Sequence, residues 1–368
     1  MSASDSFGEE FREIASCGGK IELLKEEERV AMQVSGTGGL SYVPMRISLD
    51  GERMVFRPIT GIDQRPIKEP SPMVPAFLPA DKTGLWGRSC PNCKAYFRTD
   101  GIREYMFCPY CDCRAPAAAF TTENQRAFLN RQRELWNIAF EGGENVTIDL
   151  DSIASELPQN RPSWTPKEQQ QQFNFVCERC KTACDVLGEY ASCPACDYRN
   201  SLGVFKRYWE VLDSEFRRAD AELKDRHDRE RAWEGLLPRF VSAFEAMADD
   251  LRTQLLKLPM TAKRRKEVEK LSFQRVNEAE EMLRDWFGIE IFTGLKQEDG
   301  EFLNREFNRR HLLGHRAGRV DHEYLQKTGD TSVKLHQSIR IRSNEIARLS
   351  ELLRQCANNF FDQFSTIS

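Results

Sequence analysis

The sequence predicts a multidomain α+β chain: a small N-terminal β unit, two zinc ribbons and a C-terminal all-α bundle. Three observations predict it. Four Cys-x-x-Cys pairs form two clusters in the middle of the 368 residues. Strand-forming residues punctuated by Gly and Pro come before them. From residue 236 onward, apolar residues recur at three-and-four spacing. A chain of this length also exceeds the size at which one hydrophobic core keeps growing, so several domains are expected.

Composition narrows the class. Hydrophobic residues make up 40% and charged residues 30%. No apolar run approaches the roughly 18 to 20 residues that a bilayer span requires, so no membrane partner is expected. The opening MSASDSFGEEFREI has neither the basic nor the apolar region of a secretory signal, which predicts a reducing, cytoplasmic setting. Twelve cysteines in such a setting point to metal rather than disulfides. A net charge of −4 argues against coating nucleic acid by bulk electrostatics. One window is locally basic: residues 305 to 319 hold Arg305, Arg309, Arg310, Arg316 and Arg319 against Glu306 alone.

The β unit is expected over 1–85, with a frayed or loosely helical start through residue 28. Met45-Arg-Ile-Ser-Leu49 and Glu52-Arg-Met-Val-Phe56 flank Asp50-Gly51, a hairpin signal. Pro66, Pro70, Pro72, Pro75 and Pro79 then favour a loop or extended connector. Residues 86–142 hold the first ribbon and a helix, with Thr121 or Thr122 as N-cap and Glu123 in the first turn. A Pro- and Gln-rich linker is expected over 143–172, the second ribbon over 173–202, and an exposed, charged helical connector over 203–235. The bundle occupies 236–368. Its helices run through Leu237, Phe240, Phe244 and Leu251; through Phe273, Val276, Leu283 and Phe287 to a stop at Gly288; through the Arg/His cluster; and through Ile346, Leu349, Leu353, Cys356 and Phe360.

The cysteine spacing reads as two zinc ribbons. Cys90-Pro-Asn-Cys93 is followed after fourteen residues by Cys108-Pro-Tyr-Cys111, and Cys177-Glu-Arg-Cys180 after twelve by Cys193-Pro-Ala-Cys196. Two intervening residues let one tight turn aim both thiolates at one ion, and a second turn completes a tetrahedron. Four protein ligands leave no open position for water, so two structural ions are expected. Cys113 and Cys184 are alternatives to Cys111 and Cys180, while Cys17 and Cys356 read as ordinary thiols. Lys94, Tyr96, Phe97, Arg98, Arg103, Tyr105, Phe107 and Tyr110 interleave basic and aromatic character, as in surfaces that stack on bases. Packing over the metal site explains the same residues equally well.

Three of the five histidines, His311, His315 and His322, lie within twelve residues. Projected as a helix at about 100° per residue, residues 302–316 place Leu313, Leu303, Gly314 and Phe307 on one arc around Arg310, with His311 and His315 at its edge. Gly314 inside a helix costs about 1 kcal/mol relative to alanine, which predicts a close approach there by another backbone or a substrate. The arc is expected to face a partner subunit.

Arg310-His311-Leu-Leu-Gly-His315, continued by Gly318, Val320-Asp321, Tyr324-Leu325 and Gly329-Asp330, resembles the motif of HEPN domains, and the resemblance covers residues 236–368. It implies an all-helical HEPN fold, a homodimer with a composite cleft, and RNA cleavage that needs no metal. His315 would be the general acid/base, Arg310 would hold the phosphate, and His311, in the motif's polar position, would orient one or the other. Arg305, Arg309, Arg316 and Arg319 would hold the RNA backbone. His322 reads as structural. The products would be a 2′,3′-cyclic phosphate and a 5′-hydroxyl, the setting toxin-like or antiphage, and a protein partner or inhibitor has a place in it. The alternative is a non-catalytic zinc-ribbon adaptor for nucleic acid or protein whose helical domain only dimerises. A transcription-type DNA binder is disfavoured by the acidic balance and by the lack of a basic recognition helix.

Overall fold

The computed structural model describes residues 11–26, 29–36, 42–50, 54–55, 67–68, 73–142, 144–157 and 166–367. The chain forms two compact units, Met1–Asn200 and Ser201–Ser368.

Unit 1 is built on short antiparallel strands. The first six are β1 (Lys20–Glu26), β2 (Arg29–Ser35), β3 (Tyr42–Ser48), β4 (Met54–Val55), β5 (Ile67–Lys68) and β6 (Met73–Pro79). Then come β7 (Trp86–Ser89), β8 (Tyr96–Thr99), β9 (Tyr105–Phe107) and β10 (Arg114–Pro116). Helix α1 (Glu123–Glu141), β11 (Val146–Asp149), α2 (Leu150–Glu156), α3 (Pro166–Gln169), β12 (Gln172–Val176) and β13 (Ala183–Leu187) complete the unit.

Residues 20–26 depart from the frayed or helical start expected through residue 28. Ile21 and Leu23 alternate with exposed neighbours and are fully buried, the period-two pattern of a half-buried strand. β1 pairs with β2 on one edge and β11 on the other. The hairpin read at Asp50-Gly51 exists as the β3–β4 pair, with Ile47 opposite Met54; Gly51 itself lies outside the described residues. Part of the expected Pro-rich connector is the strand β6. It pairs along the length of β3 at the edge of the β4-β3-β6 sheet, where Pro75 and Pro79 are tolerated. The linker expected over 143–172 is largely folded, because β11 completes the edge of β1 and α2 follows at once.

Helix α1 locks onto β6 through polar clamps inside an apolar interface. The Gln132 amide donates to the Phe77 carbonyl (2.9 Å) and accepts from its N–H (3.0 Å), and the Trp136 indole donates to the Pro75 carbonyl (2.9 Å). Of the two candidate caps, Thr122 is the one used, and it forms a reciprocal capping box with Gln125.

The two cysteine ribbons are fused. Strands β12-β13-β8-β7 make one sheet in which β8 of the first ribbon pairs with β13 of the second. Arg98 and Asp185, each the fifth residue after its Cys-x-x-Cys pair, sit opposite one another in that pairing. The ribbons are therefore related by a local two-fold, and the pseudo-equivalent side chains on its axis form an ion pair. The Arg98 guanidinium contacts Asp185 at 2.5 Å and Asp81 at 2.7 Å, with all three side chains at most 2% exposed. Gln172 donates to Asp185 at 2.9 Å. Removing one partner of such a buried network strands the other charges. We expect Arg98→Met to destabilise unit 1 by about 3 to 5 kcal/mol, read by denaturant unfolding; a loss below about 1 kcal/mol would show that the network is not structural.

Unit 2 is all helix: α4 (Ser201–Glu222), α5 (Arg226–Leu255), α6 (Ala262–Lys270), α7 (Val276–Phe287), α8 (Gln297–Arg316), α9 (His322–Thr328) and α10 (Ser343–Ile367). The charged stretch expected as an exposed connector is an integral helix. α4 buries Val204, Phe205, Trp209 and Leu212; the Trp209 ring lies 4.7 Å from that of Phe240, and its indole donates to Ser350 at 3.1 Å. That apolar stripe is interrupted in sequence by charges and becomes continuous only on the helix. Gly288 ends α7 in the left-handed region (φ 67°), as its position in the sequence predicts. Ile346, Leu349, Leu353, Cys356 and Phe360 form the buried face of α10. No helix among the described residues is long and apolar enough to cross a membrane.

Candidate functional site

The cysteine pairs are held by four copies of one turn. Lys94, Asp112, Lys181 and Asp197, each directly after the second cysteine of its pair, have φ of 62°, 55°, 62° and 60°. Residues other than glycine seldom adopt this conformation, and its recurrence at one position marks a built feature. In each turn the first cysteine's N–H donates five residues on, from Cys90 to Ala95, Cys108 to Cys113, Cys177 to Thr182 and Cys193 to Tyr198, at 2.8 to 3.0 Å.

The sulfurs converge accordingly. Cys90, Cys93, Cys108 and Cys111 have all their Sγ atoms within 4.8 Å of one another, and so do Cys177, Cys180, Cys193 and Cys196. The closest cross-pair separations are 3.6 to 3.7 Å. Thiolates at about 2.3 Å from a tetrahedral ion stand about 3.8 Å apart, so both clusters have the donor chemistry and the dimensions to hold a structural metal ion. Cys113 and Cys184 lie outside the two sets of four converging sulfurs; the Cys113 carbonyl accepts within its turn, and the Cys184 thiol donates to the Thr182 carbonyl at 3.7 Å. Cys17 and Cys356 are buried outside both clusters.

The aromatic and basic residues of the first ribbon divide between packing and surface. Phe97 and Arg98 are buried, and the Tyr110 hydroxyl bridges the Tyr96 carbonyl and the Leu187 N–H. Tyr105 and Arg103 are exposed, and the Arg114 guanidinium lies over the rings of Tyr105 and Phe107.

On α8 the buried face comprises Phe302, Leu303, Glu306, Phe307, Arg309 and Leu312. The projected arc is therefore correct for Leu303 and Phe307 but not for the last turns, where the buried side shifts toward Arg309 and Leu312. Leu313 is half-buried and Gly314 exposed, and a Cβ at Gly314 would meet nothing within 4 Å. Among the described residues, then, nothing approaches Gly314 closely.

Arg309 is the buried arginine, and it cannot serve as the backbone-binding contact expected of it. Its guanidinium is held by Glu345 (2.8 Å), Glu306 (3.3 Å), Asp330 (3.3 Å) and the Tyr324 hydroxyl (3.2 Å). The Tyr324 hydroxyl donates in turn to Asp330 at 2.6 Å. Burial pushes Glu306 up to about 6 against the attraction of Arg309, with the like charge of Glu345 adding to the rise. Asp330 is also penalised by burial, yet hydrogen bonds from Ser332 and Tyr324 and the charge of Arg309 hold it down at about 2. Arg305 pairs with Glu306 and Glu345. Of the four arginines expected on RNA, only Arg316 and Arg319 are open to solvent.

The segment after the cluster is explained by local structure. Asp321 caps α9 through the Tyr324 N–H (2.8 Å), and Gly318 (φ 76°) and Gly329 (φ 61°) take the left-handed positions that end α8 and α9. Tyr324 and Asp330 anchor Arg309.

Arg310 and His311 come together at a pocket of about 230 Å³, which Tyr324, Asp321, Lys327 and Arg275 also line. Arg310 is half-buried and donates to Glu245 of α5 at 2.9 Å. The second Glu245 oxygen is buried and has no hydrogen-bond partner among the described residues, and burial raises the acid's pKa against the opposing charge of Arg310. His315 does not line the pocket, but its ring lies 4.7 Å from that of His311, one turn away. His322 is the first residue of α9.

One basic feature escaped the sequence reading. Residues 257–275 carry seven Lys/Arg against two Glu, a net positive density about equal to that of the window 305–319, and the run Lys263-Arg-Arg-Lys266 was its visible signal. Comparison of the chain with family models, with curated proteins and with solved structures gives no match.

Proposed function

We propose that the chain is a metal-independent endoribonuclease of the HEPN type that works as a homodimer, with two zinc ribbons that bind or sense the target. The single observation that carries this reading is the convergence of Arg310 and His311 on one pocket, with the His315 ring 4.7 Å from that of His311 on the same helix. Arg310, oriented by Glu245, holds the scissile phosphate through its fork of donors and offsets the charge that builds on it. His315, with His311 beside it, takes the proton of the ribose 2′-hydroxyl or supplies one to the departing 5′-oxygen. The 2′-oxygen bonds to phosphorus as the bond to the 5′-oxygen breaks, leaving a 2′,3′-cyclic phosphate and a 5′-hydroxyl. A second copy facing α8 completes the cleft, and Arg316 and Arg319 hold the backbone. Zinc is the metal assigned to the two clusters, because closed sets of four thiolates in tetrahedral array are its preferred structural site. A toxin-like or antiphage role, in the cytoplasm and under a protein inhibitor, fits such an activity.

The test incubates the protein with end-labelled RNAs, with and without chelator. His315→Ala and Arg310→Ala are each expected to lower cleavage by about 10² to 10⁴, and chelator is expected to leave cutting intact over the assay. Wild-type protein inert on every RNA class, or a monomer at micromolar concentration, sinks the reading. A non-catalytic adaptor is the second reading, favoured by the exposed Tyr105–Arg114 surface on the fused ribbons.

A further inference from the structure

Helix α6 carries Lys263, Arg264, Arg265, Lys266 and Lys270, all exposed, and buries only Val268. Several exposed arginines elsewhere in unit 2 find carboxylates, as in Arg226–Glu230, Arg275–Glu278 and Arg348–Asp299. Among the described residues, none of the five cations on α6 has an ion pair. Arg264 lies over the Trp286 ring at 5.5 Å, and Arg265 donates to the Leu256 carbonyl at 2.6 Å. Among the described residues, no group engages the ammonium groups of Lys263, Lys266 and Lys270.

The helix is well anchored despite this charge. Thr261 caps its N-terminus, and Arg252 donates to the Val268 and Glu269 carbonyls at its C-terminus. Lys266 and Lys270 stand four apart, a like-charge spacing that weakens a helix by a few tenths of a kcal/mol, roughly. A fixed cluster of five cations, which Glu267 and Glu269 of the same helix only partly offset, suits a polyanion. Its position suits one polyanion in particular. Two residues past Lys270 the chain reaches Ser272, Gln274 and Arg275, which line the pocket of Arg310 and His311. Within that pocket the cations are balanced, since Lys327 pairs with Glu323 and Arg310 with Glu245.

From this division we infer that α6 binds the sugar–phosphate backbone of a single-stranded RNA whose chain continues into the Arg310–His311 pocket. The inference rests on the reading of that pocket as an RNA site. α6 supplies sequence-independent attraction through released counterions, and the pocket supplies orientation.

The experiment measures fluorescence anisotropy of a labelled, unstructured RNA oligonucleotide across a salt series. The protein carries His315→Ala so that the probe stays whole. Adding Lys263→Gln, Lys266→Gln and Lys270→Gln together should flatten the log–log salt slope by about 2 and weaken binding by about a hundredfold near 0.1 M salt. The matching triple Lys→Arg variant should bind like its parent, with an unchanged unfolding temperature in both triples. Unchanged affinity and slope in the Gln triple overturn the inference, as does equal loss in the Arg triple. Tighter binding to phosphatidylglycerol vesicles than to RNA overturns it too. The two readings fail separately. RNA binding with this signature, but no cutting by wild-type protein, removes the nuclease and keeps α6. Cutting by a protein whose α6 triple binds normally does the reverse.

Discussion

Stripping metal from the two tetracysteine clusters is expected to unfold the ribbon region of unit 1 and to carry α1 and β6 toward unfolding with it. The ribbons have little apolar core of their own; the second clusters only Cys177, Cys184, Cys193 and Ala195 as buried residues. Structural zinc contributes about 10 to 16 kcal/mol in small metal-dependent folds, as much as the whole stability of a typical domain. Cys193→Ser or Cys90→Ser should therefore abolish one site outright. The shared sheet, joined at Thr99–Cys184 and Arg98–Asp185, predicts that loss of one site loosens the other. Elemental analysis should find about two zinc ions per chain, and thermal unfolding with chelator should show the loss of unit 1 structure. A metal content near zero in freshly prepared, folded protein sinks the assignment.

Replacement of Arg309 by alanine is expected to cost unit 2 about 3 to 5 kcal/mol, because Glu306 and Asp330 would remain buried without their cation. The same substitution should leave RNA affinity nearly unchanged in protein that still folds, unlike removal of Arg316 or Arg319. The network also sets an acid profile. Asp330 is held at about 2 in the folded protein, below its unfolded value, so its stabilisation is complete above roughly pH 4 and disappears as pH falls toward 2. Glu306 is raised to about 6, so its ionised form is disfavoured on folding, and stability rises as pH falls from about 6 to its unfolded value. Unit 2 should accordingly be most stable near pH 4 to 5 as far as these two groups decide it. Arg309→Ala should strengthen the Glu306 effect and weaken the Asp330 one only in part, because the hydrogen bonds from Ser332 and Tyr324 to that carboxylate remain. Chemical unfolding followed by helical circular dichroism across pH 2 to 7 checks both arms; a wild-type stability that is flat through this range contradicts the assignment of charges.

Some of this was plain in the chain and some was not. The tetracysteine clusters were readable because Cys-x-x-Cys is a local turn, closed by hydrogen bonds five residues apart. Helices α7 and α10 were readable for a similar reason, since a 3.6-residue period and a glycine stop act within one element. Arg309 and Arg310 show the opposite case. Adjacent in sequence and identical in chemistry, they differ because Glu345, Asp330 and Tyr324 converge on one, whereas among the described residues only Glu245 reaches the other. A helical projection cannot foresee this, because it assumes one buried side for the whole helix.

The same division runs through the fold. Short-range chemistry, namely the cysteine turns, the Thr122 cap and the apolar periods of the bundle, decided what each segment becomes, and it is written in neighbouring residues. Partnership was decided over long separations: β11 with β1, β8 with β13, and α4 with the bundle rather than with solvent. Those choices depend on which buried edges and charges find complements, and only the assembled chain brings such groups within reach.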